Sequence, residues 1–258
     1  MQSAGSDKKG GQLAFTLTLE EKDLYSLDRF HEGDFNNIPL GAAKLFAKKS
    51  TEEMPRSLVI TGPEGSGKSH LLKGLYCRVV SEMGGADSSG SFDSENTAII
   101  DTANISSEGK IIERFKGLYG YDLVCIDSLD SEERSIEFYD ALFNLFNEVV
   151  GRGRFFAVAM RQSPAKAIGI PDYLYTRLLS GMVVGITRPG DDEKMEILAK
   201  LAADRQVSLK PDGIKYILER SGRSIGSLAN LLDRLEKKLD KKGRSAGLQL
   251  IRSVIDSN

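Results

Sequence analysis

Tryptophan is absent from the 258-residue chain, and cysteine and histidine occur only twice each. Both cysteines, Cys77 and Cys125, lie inside apolar stretches, which indicates buried free thiols rather than a disulfide or a metal site. The two histidines, His31 and His70, are too few and too far apart in the sequence to predict a metal centre.

An excess of charge of one sign is also missing, because 35 Lys and Arg residues stand against 37 Asp and Glu residues. This balance argues against a broad nucleic-acid-binding surface. The chain has no apolar run long enough for a membrane span and no apolar signal core near its start. We therefore expect a cytoplasmic protein without membrane contact, built as one large domain or one domain with a small appendage.

The most informative stretch is a phosphate-binding P-loop, G-x-x-x-x-G-K-[ST], at residues 62–69. A short apolar run at 57–60 precedes it and predicts a buried strand, while residues 71–76 open a helix. Strand, loop and helix in this order are the context that the motif requires. The predicted cofactor-binding residues are Gly62, Pro63, Glu64, Gly65, Ser66, Gly67, Lys68, Ser69 and His70.

The residue types of the loop match the chemistry of a nucleotide phosphate. The glycines allow backbone conformations that turn successive N–H groups inward, and the following helix adds its positive end. Lys68 would reach the β- and γ-phosphates, and the hydroxyl of Ser69 is placed for Mg²⁺. The motif predicts ADP or ATP with Mg²⁺ as the cofactor.

A carboxylate for the same site is expected at Asp127, which ends the apolar run 123–126. P-loop NTPases hold Mg²⁺ through such an Asp, although an Asp at a strand end can also simply cap a turn. Ser128 stands where many ATPases place a second carboxylate to activate water, and Asp130 follows out of place. We therefore predict tight nucleotide binding with slow intrinsic turnover, because general-base help is worth about 10²–10⁴ in rate.

Arg177 lies in a predicted short helix, 171–179, just before the fifth strand. An Arg in this place can face the nucleotide of a neighbouring subunit as an arginine finger, acting in trans. The alternative is an ordinary solvated Arg on a helix.

The order of elements predicts an α/β fold with a parallel sheet. Strands are expected at 57–60, 97–101, 123–127, 155–159 and 182–186, with helices between them at 107–117 and 132–150. In the second helix, Ile136, Tyr139, Leu142, Phe143, Phe146 and Val150 are predicted core positions. After residue 188 only helices are expected, at 191–206, 211–221, 224–242 and 246–256, which predicts a small all-helical lid.

The predicted domains are a flexible tail at 1–23, a nucleotide-binding domain at 24–188 and the lid at 189–258. The tail contains a short apolar peptide at 12–17, Gln-Leu-Ala-Phe-Thr-Leu. This peptide could form an edge strand of the domain, or it could be an exposed segment that docks into a groove of another protein.

Over residues 12–258 this order of motifs resembles the AAA+ ATPases, and among them the DnaA branch. Residues 27–33 with Asn37 resemble the adenine-side segment of DnaA, 123–127 its Walker B strand, and 173–179 the helix that bears its arginine finger. The terminal helices resemble its lid. The chain ends where DnaA would continue into a helix-turn-helix domain, so we expect no direct sequence-specific DNA binding.

The peptide at 12–17 is similar to the glutamine-leucine peptide that binds the replicative sliding clamp. Together these features resemble the Hda family, DnaA homologues that inhibit DNA replication by stimulating hydrolysis of ATP held by DnaA. The resemblance implies that Gln12, Leu13, Phe15 and Leu17 hold the clamp and that Arg177 serves the ATP bound to DnaA. The alternative is a DnaA-like or helicase-loader-like ATPase that assembles itself as a homo-oligomer.

Two positions depart from the family pattern. The strand end at 158–162, Val-Ala-Met-Arg-Gln, lacks the Thr or Ser and the Asp that are usual at the sensor-1 turn. Gly226 occupies the place of the sensor-2 Arg, and Arg223 lies three residues out of register. Both changes predict weak sensing of a γ-phosphate in the chain's own site.

Overall fold

The computed structural model describes residues 25–48, 54–83, 96–103, 105, 107–163, 169–221, 224–239 and 245–256. Five strands in these ranges form one parallel sheet in the order β2-β3-β4-β1-β5. They are β1 (Ser57–Thr61), β2 (Thr97–Asp101), β3 (Leu123–Asp127), β4 (Phe155–Met160) and β5 (Met182–Gly185). The central strands β3 and β4 are buried along their whole length, as parallel strands covered on both faces must be.

Helices cover both faces of this sheet. They are α1 (Asn37–Ala47), α2 (Lys68–Met83), α3 (Glu108–Lys116), α4 (Ile136–Gly151) and α5 (Asp172–Leu179), and a 3₁₀ turn at Leu27–Arg29 precedes them. One hydrophobic cluster joins α1 and α2 to the sheet through residues such as Phe46 and Leu71. A second cluster joins α3, α4 and α5 to the opposite face through residues such as Phe138 and Leu174.

The last part of the described chain is a helical lid with its own core. Its helices are α6 (Asp191–Asp204), α7 (Pro211–Arg220), α8 (Ile225–Lys238) and α9 (Leu248–Ile255). Leu198, Ile217, Leu228 and Ile251 meet in the fully buried centre of this core. None of the helices in the described ranges has the length and apolar character needed to cross a bilayer.

The α/β sheet and the helical lid confirm the predicted fold class, and all five sheet strands lie within one residue of their predicted bounds. The expectation of no strand after residue 188 was wrong. Ser208–Leu209 and Ser245–Ala246 form a two-residue parallel pair in the lid. A strand of two residues is too short to produce an alternating pattern that could predict it.

The fourth helix corrects one predicted core position. It begins at Ile136, because the hydroxyl of Ser135 caps it by accepting the N–H of Phe138 at 3.2 Å. Ile136 therefore lies in the first turn, where its side chain is 53% exposed, whereas Tyr139, Leu142 and Phe146 are buried as predicted.

Candidate nucleotide-binding site

The P-loop leaves β1 at the carboxyl edge of the sheet and leads directly into α2, which begins at Lys68. Glycine is required at the first turn of the loop, since Gly62 has a φ of 153° and a Cβ there would lie 2.2 Å from the carbonyl oxygen of Ile186. Gly65, with a φ of 75°, is equally constrained because a Cβ would lie 2.5 Å from the Cβ of Ser224 in the lid. The loop therefore fits between the sheet and the lid only with glycine at these two positions.

Lys68 is almost fully buried, and its Nζ donates to the carbonyl oxygen of Pro63 at 2.8 Å. Burial lowers the pKa of Lys68, while the carboxylate of Asp127 acts in the opposite direction. The ammonium group thus lies over the loop in a poorly solvated place, where attraction to a phosphate would be strong.

Ser69 and Asp127 meet at this site, as predicted. The hydroxyl of Ser69 donates to Oδ1 of Asp127 at 3.0 Å. Burial raises the pKa of Asp127, and the hydrogen bond from Ser69 opposes that shift. A hydroxyl and a buried carboxylate side by side are hard oxygen ligands of the kind that Mg²⁺ prefers, so these two residues fit the predicted ion.

The end of β3 is held by a neighbouring strand. The carbonyl oxygen of Asp127 accepts the N–H of Thr102 at 3.0 Å and its hydroxyl at 2.9 Å. Thr102 is completely buried. This side chain gave no signal in the sequence, because its role depends on the pairing of β2 with β3.

The position of a second carboxylate is not filled. Ser128 follows Asp127 with a φ of 61°, a left-handed conformation that is uncommon outside glycine. The carboxylate of Asp130 is occupied, since it accepts the backbone N–H groups of Arg161 at 2.7 Å and Gln162 at 3.0 Å. Asp130 therefore ties the turn after β3 to the end of β4 and is not free to activate water.

An apolar cavity next to the P-loop has the character of a base pocket. Both the first domain and the lid line it, through Phe30, Phe35, His70, Ile197, Leu201 and Ile225 among others. Residues 27–33 with Asn37 were expected on the adenine side, and of these Arg29, Phe30 and His31 line the cavity. The contribution of α6 was not predicted. Nothing in the sequence shows which face of a lid helix will turn toward the loop.

His70 lines this cavity and also the more polar cavity beside the loop. Its ring packs edge-on against Tyr25 and Phe30, with centroid distances of 5.0 and 4.8 Å. Burial, helped by the positive charges of Lys73 and Arg205, lowers the pKa of His70 to about 4. The imidazole is therefore neutral at physiological pH.

A second, more polar cavity lies between the P-loop and α8, and Lys68, Ser69 and Gly226 all line it. Gly226 contributes no side chain, so this position of the lid supplies no cation. Arg205 also lines the cavity, but its Nε donates to Asp233 at 2.7 Å.

Arg177 is exposed in the last turn of α5. Its side chain forms no ion pair or hydrogen bond with any residue in the described ranges, and it lines neither of the two cavities around the loop. The structure thus does not bring Arg177 to the chain's own site.

The predicted clamp-binding residues Gln12, Leu13, Phe15 and Leu17 lie outside the described residues.

Comparison with known protein families gives two adjoining matches. The model of the bacterial DnaA ATPase domain matches residues 21–185, and the model of the Hda lid domain matches residues 191–255.

Curated relatives are distant in sequence. The chromosomal replication initiator protein DnaA of Campylobacter jejuni is 26% identical over 234 residues, which are 90% of this chain and 52% of the relative. The chain thus spans about half the length of this relative. An uncharacterized protein of Haemophilus influenzae is 26% identical over 242 residues, which cover 93% of this chain and 97% of that protein.

Solved structures share the fold. Domain III of the replication initiation protein DnaA from Thermotoga maritima has a TM-score of 0.75 and 20% identity, covering 94% of this chain and 98% of that one. AMPPCP-bound DnaA from Aquifex aeolicus has a TM-score of 0.67 and 18% identity, covering 88% of this chain and 69% of that one.

Proposed function

Because the chain belongs to the family of bacterial DnaA ATPase domains and carries an Hda lid domain, we propose that it is a nucleotide-bound regulator of the Hda type. It binds the replicative sliding clamp through residues 12–17 and stimulates hydrolysis of ATP held by a DnaA-type initiator. The outcome is inhibition of repeated initiation.

The observation that supports this proposal is the contrast between the two halves of the site. The half that binds is present, with Lys68 over the loop and Ser69 only 3.0 Å from Asp127. The half that would activate water is missing, since Ser128 has no carboxylate and Asp130 is held by two backbone N–H groups. A protein of this kind retains its nucleotide and acts on the nucleotide of another protein.

In the chain's own site, the loop N–H groups and Lys68 would bind the phosphates, while Ser69 and Asp127 would hold the ion. Bound Mg²⁺ supplies neutralising charge on the phosphate oxygens. Asp127 is held in place because Ser69 donates to its side chain and Thr102 donates to its carbonyl oxygen.

Arg177 acts outside this site. Its exposed guanidinium is free to enter the site of a partner, where a planar cation stabilises the charge that develops during phosphoryl transfer. Such a contribution in trans is worth about 10³–10⁵ in rate.

The experiment is hydrolysis of ATP preloaded on purified DnaA, with clamp loaded on DNA and with this protein added. We expect Arg177→Ala to reduce the stimulation about 10³-fold, or to the floor of the assay. Arg220→Ala is the matched control, because Arg220 is also an exposed Arg at the end of a helix. The paired change Gln12→Ala and Leu13→Ala should abolish both clamp retention and stimulation.

Three results would contradict the parts of this proposal separately. If Arg177→Ala stimulated hydrolysis as strongly as the unmodified protein, Arg177 would not be the arginine finger. If the peptide variant were retained on the clamp as well as the unmodified protein, residues 12–17 would not bind the clamp. Rapid ATP turnover by the protein alone, well above about 1 s⁻¹, would favour the self-contained ATPase instead.

A further inference from the structure

Arg134 is a nearly buried cation that the proposed function leaves without a role. It lies between β3 and α4, directly before the cap at Ser135, and its side chain is only 5% exposed. In the part of the chain that the structure describes, its Nε has no hydrogen-bond partner. Burying an Arg in this way is costly, and an apolar side chain of similar size is often at least as stabilising. Stability alone therefore does not explain an Arg at this position.

The guanidinium of Arg134 reaches the end of β2. Its Nη2 donates to the backbone carbonyl oxygen of Thr102, the buried residue that follows β2. The N–H and the hydroxyl of Thr102 both donate to the carbonyl oxygen of Asp127, at 3.0 and 2.9 Å. Arg134 is thus connected to Asp127 through a single residue whose N–H, hydroxyl and carbonyl groups are all engaged.

These hydrogen bonds close a ring around the turn that follows β3. The chain leaves Asp127, passes through Ser128 with its left-handed φ of 61°, and returns from Arg134 by way of Thr102. On the other side of the turn, Asp130 accepts two backbone N–H groups at the end of β4. The turn is therefore fixed to β2 by Arg134 and to β4 by Asp130.

The direction of the guanidinium is itself fixed by its neighbours. Its two Nη atoms lie 3.7 Å from a carboxylate oxygen of Glu108, the first residue of α3, and 3.2 Å from one of Glu132. The ring of Phe138 lies below it, with its centroid 5.8 Å from Cζ. Glu108 also accepts the hydroxyl of Ser135 at 2.6 Å. These contacts hold the guanidinium against the carbonyl group of Thr102.

We propose that Arg134 is a positioning residue for the Mg²⁺ ligand Asp127 and that it acts through Thr102. The carboxylate of Asp127 has to stay beside the hydroxyl of Ser69, now 3.0 Å away, for the two to share one ion. Partners that hold a metal ligand from behind commonly change metal affinity about 10–100-fold when they are removed. The inference rests on the proposed nucleotide site and adds to it a residue that controls Mg²⁺ rather than the phosphates.

The test is the affinity of the full chain for ADP, measured by titration calorimetry with Mg²⁺ and again with an excess of chelator. The ratio of the two affinities is the Mg²⁺ enhancement. Arg134→Met should reduce this enhancement about tenfold and change the affinity without Mg²⁺ by less than about threefold. Thr102→Val, which removes one of two donors to Asp127, should reduce it about threefold. Arg134→Lys keeps a cation and a donor, so its enhancement should lie between those of Arg134→Met and the unmodified protein.

Two controls match these variants. Arg234 also donates from Nη2 to a backbone carbonyl oxygen, that of Val254 in the lid. Arg234→Met therefore removes the same kind of bond away from the ion ligands. Glu132→Gln removes an exposed partner of Arg134 and leaves the bond to Thr102. Both controls should keep the Mg²⁺ enhancement of the unmodified protein.

An unchanged Mg²⁺ enhancement in Arg134→Met would overturn the inference. Equal losses of ADP affinity with and without Mg²⁺ would also overturn it, because they would show a purely structural role. If Arg134→Met does not fold, Thr102→Val and Arg134→Lys decide the question, and an unchanged enhancement in both overturns the inference.

The failure of the proposed nucleotide site would look different. If Lys68→Ala bound ADP undiminished, the nucleotide site itself would be wrong. If the unmodified protein bound ADP equally with and without Mg²⁺, Ser69 and Asp127 would not be ion ligands, and the role of Arg134 would fall with them. If Lys68→Ala lost ADP and Arg134→Met kept the full Mg²⁺ enhancement, only the present inference would fail.

Discussion

Replacing His70 by glutamine should make the folded protein less sensitive to acid. His70 is held neutral in the apolar cavity between Tyr25 and Phe30, and its pKa is lowered to about 4 from 6.5. The unfolded chain, where the imidazole is solvated, binds a proton at higher pH than the folded chain does. Protonation therefore favours unfolding, and stability falls as the pH drops below about 6.5.

The magnitude follows from the difference between the two pKa values. Each unit is worth about 1.4 kcal/mol, so the full shift corresponds to ~3 kcal/mol once the pH is below 4. At about pH 5 the unfolded imidazole is almost fully protonated and the folded one is mostly neutral, so ~2 kcal/mol of the difference is already present. Asp127 has a raised pKa and shifts stability in the opposite direction. It is common to both proteins and cancels in the comparison.

The assay is urea unfolding followed by circular dichroism at several values between about pH 7.5 and pH 5. The unmodified protein should lose ~2 kcal/mol more unfolding free energy over this range than His70→Gln does. His31→Gln serves as a control, since His31 is the other histidine in the chain and lies outside the P-loop. Parallel curves for the unmodified protein and His70→Gln would refute the argument that a buried neutral imidazole lies in this cavity.

Two further predictions concern the end of β3. Ser128→Asp should raise intrinsic ATP turnover about tenfold or more, because it supplies the missing general base. Ser128→Asn is its control, since Asn tolerates the same left-handed backbone but cannot act as a base. Equal turnover by the two variants would show that the missing base is not what limits hydrolysis. Thr102→Val removes the hydroxyl that donates to the carbonyl oxygen of Asp127 and should cost about 1 kcal/mol of unfolding free energy. The exposed Thr176→Val is its control, and an undiminished unfolding free energy in Thr102→Val would contradict the role of that hydrogen bond.

The sheet could be predicted from the sequence because its strands are short apolar runs with clear ends. Burial on both faces removes alternation and leaves a continuous run, and four of the five residues of β3 are apolar. Ile136 was wrongly predicted to be a core residue because the start of its helix has no such clear mark in the sequence. Helical periodicity assigns a face but does not say where the first turn begins, and the cap at Ser135 decides that.

The candidate site divides in the same way. The P-loop and Asp127 could be found because a local motif and a strand end mark them. Thr102 could not, because its role arises from which strands are neighbours in the sheet. The hydrogen bonds that Asp130 accepts from the residues after β4 likewise depend on where β4 lies in the sheet.

The lid lines part of the base cavity, so a bound nucleotide would help to hold the lid against the first domain. The base cavity is lined by Phe30 and Phe35 from the first domain and by Ile197 and Leu201 from the lid. The N–H of Ile225 also donates to the carbonyl oxygen of Gly65 at 3.4 Å. A molecule that fills this cavity contacts both the first domain and the lid, so its binding stabilises the arrangement in which the two pack together. When the free ligand concentration is about a hundred times the dissociation constant, this stabilisation is ~2.7 kcal/mol. Because Asp130 is held by two backbone N–H groups and is not free to activate water, such a bridge would, under the proposed function, outlast the encounters in which Arg177 acts on a partner.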